Sequence, residues 1–123
     1  MDKIAVAVLV SGGGTNLQAI LDAERRGELP HAEVKVVVSS RADAYALERA
    51  RAAGVEAVAV ERGKCASQEE FEDGIERAVE SAGAEIIVLA GFMSILSGRF
   101  TSRYPERIIN VHPSLIPKNC GKG

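Results

Sequence analysis

Along the chain, apolar runs of strand length alternate with stretches whose apolar residues recur at helical spacing. "KIAVAVLV" (3–10) is nearly continuous and rich in β-branched residues, as expected of a strand buried on both faces. "TNLQAILDAERRGE" (15–28) carries Leu17, Ile20 and Leu21 on one face, and Thr15 and Gln18 stand in a capping-box relation that predicts a helix start there. "AEVKVVVSS" (32–40) predicts a second strand. The Ala-rich "DAYALERARAAG" (43–54) predicts a helix that Gly54 closes. "VEAVAV" (55–60) predicts a third strand. In "SQEEFEDGIERAVESAG" (67–83), Ser67 and Glu70 form a second capping box, and Phe71, Ile75 and Val79 repeat every four residues. "EIIVLAG" (85–91) and "RIINV" (107–111) predict the fourth and fifth strands.

This alternation predicts an α/β fold, a Rossmann-like doubly wound parallel sheet with helices on both faces. Right-handed crossovers make 3-2-1-4-5 the natural strand order. No linker, repeat or low-complexity stretch divides the chain, so residues 1–123 read as a single domain. No helical pattern follows the fifth strand, and "PKNCGKG" reads as a loop. The pattern therefore reads as the first part of a longer domain, truncated before further strands.

Composition narrows the function classes. Net charge is −2, with 15 basic and 17 acidic residues mixed along the chain. Nothing here forms a basic stripe for nucleic acid or an electrostatic case for a membrane surface. The apolar stretches are too short to span a bilayer. "MDKIAVAVLVSGGG" runs straight into a glycine turn without a cleavage-like site, so it reads as a strand and not a signal peptide. Cys65 and Cys120 lack metal-site spacing, which implies no metal and two free thiols in a cytoplasmic protein.

Two short stretches look chemical. "SGGGTN" (11–16) joins the first strand to the first helix, placing backbone N–H groups at a helix N-terminus where the dipole favours an anion. Phosphate binding and a plain tight turn with a Thr cap both satisfy this pattern. A dinucleotide site is disfavoured. Leu17 stands where G-x-G-x-x-G needs its third glycine, and the second strand ends in Ser39, Ser40 and Arg41 instead of an acid for a ribose. A monophosphate fits better. In "IINVHPSLIP" (108–117), Asn110 and His112 lie two apart, so on an extended strand they project to one side, with Val111 turned into packing. At the carboxyl end of a parallel sheet, an amide donor beside an imidazole suits acyl-type transfer: Asn stabilises an oxyanion and His moves a proton. A strand-end Asn and His satisfied by loop backbone fits the same pattern, and for an arbitrary pair it is the commoner outcome. His31, after Pro30, reads as a surface residue.

Taken together and in order, "VLVSGGGTNLQAI", "LERARAAG", "VLAGFMSIL" and "IINVHPSLIP" closely resemble the phosphoribosylglycinamide formyltransferases, folate-dependent enzymes of purine synthesis. The resemblance implies that Gly13, Gly14, Thr15, Asn16 and Gly91 contact glycinamide ribonucleotide as the small-molecule substrate. It implies that Met93, Ser94, Ile95 and Leu96 line the pocket for 10-formyltetrahydrofolate. By the same resemblance Asn110 polarises the formyl carbonyl and His112 is the acid/base group. The chain departs from the family at Ser94 and Gln68, where arginine is frequent. The resemblance also implies that the family's chain continues past Gly123, bringing the Asp that pairs with the His and half of the folate pocket. The 123 residues alone are then expected to be inactive and to self-associate through an exposed sheet edge. A stand-alone phosphate- or nucleotide-binding module is the alternative, and a formyltetrahydrofolate deformylase-type hydrolase, which needs no phosphate pocket, is a third.

Overall fold

In the computed structural model, residues 3–94 and 96–111 are described. Five strands, β1 (Ile4–Val10), β2 (Ala32–Ser39), β3 (Glu56–Ala59), β4 (Ile86–Ala90) and β5 (Ile108–Val111), form one sheet in the order β3-β2-β1-β4-β5. Every adjacent pair is parallel, as the β-α alternation predicts. The helices are α1 (Thr15–Arg25), α2 (Tyr45–Ala52), α3 (Gln68–Ser81) and the short α4 (Gly98–Thr101). A 3-10 turn at Arg62–Lys64 and α4 are the elements the apolar periodicity did not predict, because neither is long enough to show a period.

The continuous apolar strands are explained by two cores, one on each face of the sheet. Val6, Val8 and Val10 pack with Leu17 and Leu21 of α1 and Ala46 and Ala50 of α2. Ala7, Leu9 and Ile87 pack with Phe71, Ile75 and Val79 of α3 and with Phe100 of α4. The register of β1 against β2 slips between Val6 and Ala7, so exposed Lys35 has no register partner in β1 and Val34 and Val36 reach opposite cores despite their even spacing.

The helix ends show which local signals survive. Ser67 accepts from the Glu70 N–H at 3.1 Å, while the Glu70 carboxylate accepts from the Ala66 N–H at 2.9 Å, a capping box displaced by one residue. Gly54, at φ 77°, closes α2 with bonds from its own N–H to Arg51 and from the Val55 N–H to Ala50, as its position predicts. The capping box expected at Thr15 is absent. Gly14 is the N-cap, Thr15 is already helical, and no side chain caps α1. Gln18 bonds instead to Asp22 and Arg49.

Candidate active site

The carboxyl ends of β1, β2, β4 and β5 lie along one edge of the sheet, and the loops after β1, β2 and β4 frame the site. Gly14 sits at φ 85°, a region L-residues avoid, and a Cβ there would lie 2.6 Å from that of Ala46. The turn is thus pressed against α2. The Ala46 N–H donates to the Gly12 carbonyl at 3.1 Å, and Arg49 Nε donates to the Gly13 carbonyl at 2.7 Å. The Arg49 guanidinium is itself steadied over the Tyr45 ring. With trans peptides, carbonyls that point toward α2 send the N–H groups of Gly13 and Gly14 the other way. The start of α1 also has no acidic residue in its first turn. An uncapped, uncompensated helix start with outward N–H groups is suited to an anion.

Serines at the strand ends tie the loops together. The Ser11 and Ser40 hydroxyls are 2.7 Å apart, and the Met93 N–H donates to Ser11 Oγ at 2.9 Å. These contacts join the loops after β1, β2 and β4. Sequence reasoning missed Ser11 and Ser40 as a pair, and their only signal was a hydroxyl closing each of two apolar runs. A cleft of about 480 Å³ opens here, bordered by Ser11, Gly12, Gly91, Met93, Ser94, Arg41 and Arg62 among others. Met93 is 83% exposed. Leu96 packs toward the α3-side core instead. Ile95 lies outside the described residues.

Behind the β4 loop is a buried carboxylate that sequence reasoning also missed. Glu72, 1% exposed, accepts from the Ser97 N–H at 2.6 Å, from Ser97 Oγ at 2.7 Å and from Gln68 Nε2 at 2.8 Å, with Arg99 at 3.5 Å. Burial opposes its ionisation, but the donors from Gln68 and Ser97 and the Arg99 charge outweigh burial and hold its carboxyl below the usual carboxylate range. The Ser97 hydroxyl in turn caps α4 through the Phe100 N–H.

Asn110 pairs in register with Leu89, which pairs with Leu9, so the exposed Asn110 stands level with the end of β1 two strands away. At the usual strand spacing that is about 10 Å across the sheet. His112 lies outside the described residues, as does Cys120. Val111, expected to turn into packing, instead lines an open apolar groove with Ile109, because no helix among the described residues covers that face of β5. His31 is exposed, as its position predicts. No cluster of His, Cys, Asp or Glu able to hold a metal occurs among the described residues.

A family model for formyl transferase matches residues 4–122. The chain belongs to the formyl transferase family. Within that family it is 44% identical over 116 residues to the phosphoribosylglycinamide formyltransferase of Haemophilus influenzae, covering 94% of this chain and 54% of that protein. It is 40% identical to the trifunctional purine biosynthetic protein adenosine-3 of Gallus gallus, covering 98% of this chain and 12% of that one. The phosphoribosylglycinamide formyltransferase structure from Coxiella burnetii superposes with a TM-score of 0.86 at 41% identity, over 95% of this chain and 55% of that one. The chain thus spans about half the length of the phosphoribosylglycinamide formyltransferases it matches. Its five-stranded order and flanking helices are those of a formyl transferase N-terminal part.

Proposed function

We propose that residues 1–123 are the N-terminal, nucleotide-binding part of an enzyme that transfers a formyl group from 10-formyltetrahydrofolate to the amine of glycinamide ribonucleotide. The observation that carries this reading is the bare start of α1. In a formyl transferase family member whose relatives are named for phosphoribosylglycinamide, an uncapped helix start beside Gly13 and Gly14 suits a phosphate monoester. Thr15 and Asn16 add a hydroxyl and an amide. Asn110, about 10 Å across the sheet, suits a ligand with its phosphate at one end and its reacting amine at the other.

In this reading the amine lone pair attacks the formyl carbon, a C–N bond forms, and the carbonyl oxygen becomes a tetrahedral oxyanion. The Asn110 amide donates to that oxyanion, and His112 moves the proton from the attacking amine toward the departing folate nitrogen. Collapse breaks the old C–N bond and leaves the formylated amine. Gly91, which has no side chain, and exposed Met93 leave room beside Ser94 for a flat apolar donor. The reading includes a cytoplasmic setting. No helix among the described residues is long and apolar enough to cross a membrane.

The 123-residue chain is proposed to bind the nucleotide without turning it over, since it spans about half of its single-function relatives. The test is an amide-resolved titration with ribose 5-phosphate, alongside an assay with glycinamide ribonucleotide and 10-formyltetrahydrofolate against a complete phosphoribosylglycinamide formyltransferase. Shifts centred on Gly13 to Asn16 with turnover more than about tenfold below the complete enzyme are expected, since an imidazole without its orienting acid has lost about 10⁴ in a protease. Shifts elsewhere with none at the turn would overturn the phosphate assignment. Near-full turnover would overturn the proposed dependence on the rest of the protein.

A further inference from the structure

Arg62 and Arg41 both border the cleft, but their charges are in different states. Arg41 is already paired, with Nε and Nη2 each 3.2 Å from a carboxylate oxygen of Asp43. Arg62 is half-buried in the 3-10 turn, and among the described residues no carboxylate pairs with it. Its backbone N–H donates to the Ser40 carbonyl at 3.3 Å, which anchors it to the end of β2.

The side chain is gripped from behind. Its Nε–H donates to Gln68 Oε1 at 3.1 Å, and its guanidinium lies 5.8 Å from the centre of the Phe71 ring, which is fully buried. Gln68 is oriented by donating from Nε2 to Glu72 Oε2 at 2.8 Å. Glu72 is buried and its other contacts fix it to Ser97. The order therefore runs from a buried carboxylate, through an amide whose two ends it polarises, to one edge of a guanidinium. The Nη edge makes no hydrogen bond to any described residue. A planar fork held at Nε and one face, with its remaining donors unspent at a cleft, is preorganised for a bidentate anion.

We infer that Arg62, positioned by Gln68 and Glu72, binds an anionic oxygen group of a ligand seated in this cleft. This rests on the proposed function, whose ligands offer two such groups: the phosphate of the ribonucleotide and a carboxylate of the folate-type donor. The shared chemistry is a planar or tetrahedral oxyanion that accepts two parallel N–H bonds. Arg62 then selects for charged over neutral ligands at this end of the cleft, while the α1 start reads the turn side.

The inference is tested by titrating the chain and its Arg62→Ala, Arg62→Lys and Gln68→Leu variants with ribose 5-phosphate and, separately, with p-aminobenzoylglutamate. Each is followed by amide shifts at low and moderate salt. Arg62→Ala is expected to weaken one of the two ligands by about tenfold, the scale of a charge-assisted pair, and to flatten its salt dependence. Gln68→Leu is expected to weaken the same ligand less, with the salt dependence retained because the charge remains. Arg62→Lys is expected to rescue only part of the affinity, since a point charge replaces the fork. Weakening confined to ribose 5-phosphate assigns the anion to phosphate, and weakening confined to the glutamate ligand assigns it to carboxylate. Unchanged affinity for both, with ribose 5-phosphate still shifting Gly13 to Asn16, overturns the Arg62 inference and leaves the proposed function standing. Absence of binding by the unsubstituted chain overturns both.

Discussion

Glu72 shows what a single side chain can do when its charge is out of water. It sits one position from Phe71, on a helix face whose apolar repeat alone would suggest ordinary core packing, yet its two oxygens receive donors from two different elements. Glu72→Gln removes the charge and places an amide N–H₂ against donors that need acceptors. The loss is expected to be about 2 kcal/mol near neutral pH, the scale of hydrogen bonds to a charged group. Because the folded carboxyl titrates below its ordinary value, its stabilisation is complete above the unfolded value of about 4.3 and disappears as pH falls through the folded one. Urea midpoints should therefore separate the two proteins most at pH 6–7 (roughly, well above that range) and converge in acid. A gap that widened as pH fell would contradict this assignment. Such residues are hard to read in sequence, since Glu72 depends on Ser97 25 positions later and Arg62 on the buried ring of Phe71. Asn110 was legible as a candidate because its polar side chain interrupts an otherwise apolar strand one residue before its end.

Elements were legible where many residues vote for one period. The strands and long helices fall close to their apolar patterns, and the β-α alternation carried the sheet order with it. The start of α1 was misread because Thr15 and Gln18 have capping-box spacing, while the decisive contact, Gly14 against Ala46, joins residues distant in sequence. The structural difference between α1 and α3 also has an energetic meaning. Ser67 caps α3, and Glu69 and Glu70 sit in its first turn, so its N-terminal dipole is already answered. The α1 start has neither device, which leaves stability unrealised in the free protein and available to a bound anion. Asn16→Asp is nearly isosteric and places a negative charge in that first turn. It is expected to stabilise the ligand-free chain by about 0.3–1 kcal/mol and to weaken ribose 5-phosphate binding at least tenfold by like-charge repulsion. Thermal unfolding and the amide titration read the two effects separately. A variant that gained stability and kept its phosphate affinity would place the anion elsewhere.

On the scale of the whole molecule, the two faces of the sheet are unequally covered. α3 and α4 cover the face that holds Leu9, Ile87 and Ile108. On the other face α1 and α2 cover β1 and β2, but beside α1 a groove of about 310 Å³ runs over β4 and β5, lined by Ile4, Val6, Ile20, Ile86, Val88 and Ile109 among others, all apolar. Ile4 is 43% exposed and Ile109 is 50% exposed. Among the described residues β5 is also an edge strand, four residues long, with one row of its backbone groups unpaired by the sheet. An apolar face next to an open edge invites association, because one contact can bury the groove and extend the sheet together. The 123-residue chain is accordingly expected to self-associate with rising concentration and to bind a hydrophobic dye such as ANS. Ile109→Lys puts a charge on the edge strand at a half-exposed position, so it should return the chain to monomer while leaving the fold intact. Tyr45→Lys removes a hydrophobic side chain that is 60% exposed on α2, away from the groove, and should change neither property. Sedimentation velocity across a hundredfold concentration range (an order-of-magnitude span matched to weak association) distinguishes these cases. If the unsubstituted chain stayed monomeric throughout, or if Tyr45→Lys dispersed it as well as Ile109→Lys, the groove over β4 and β5 would not be the surface that associates.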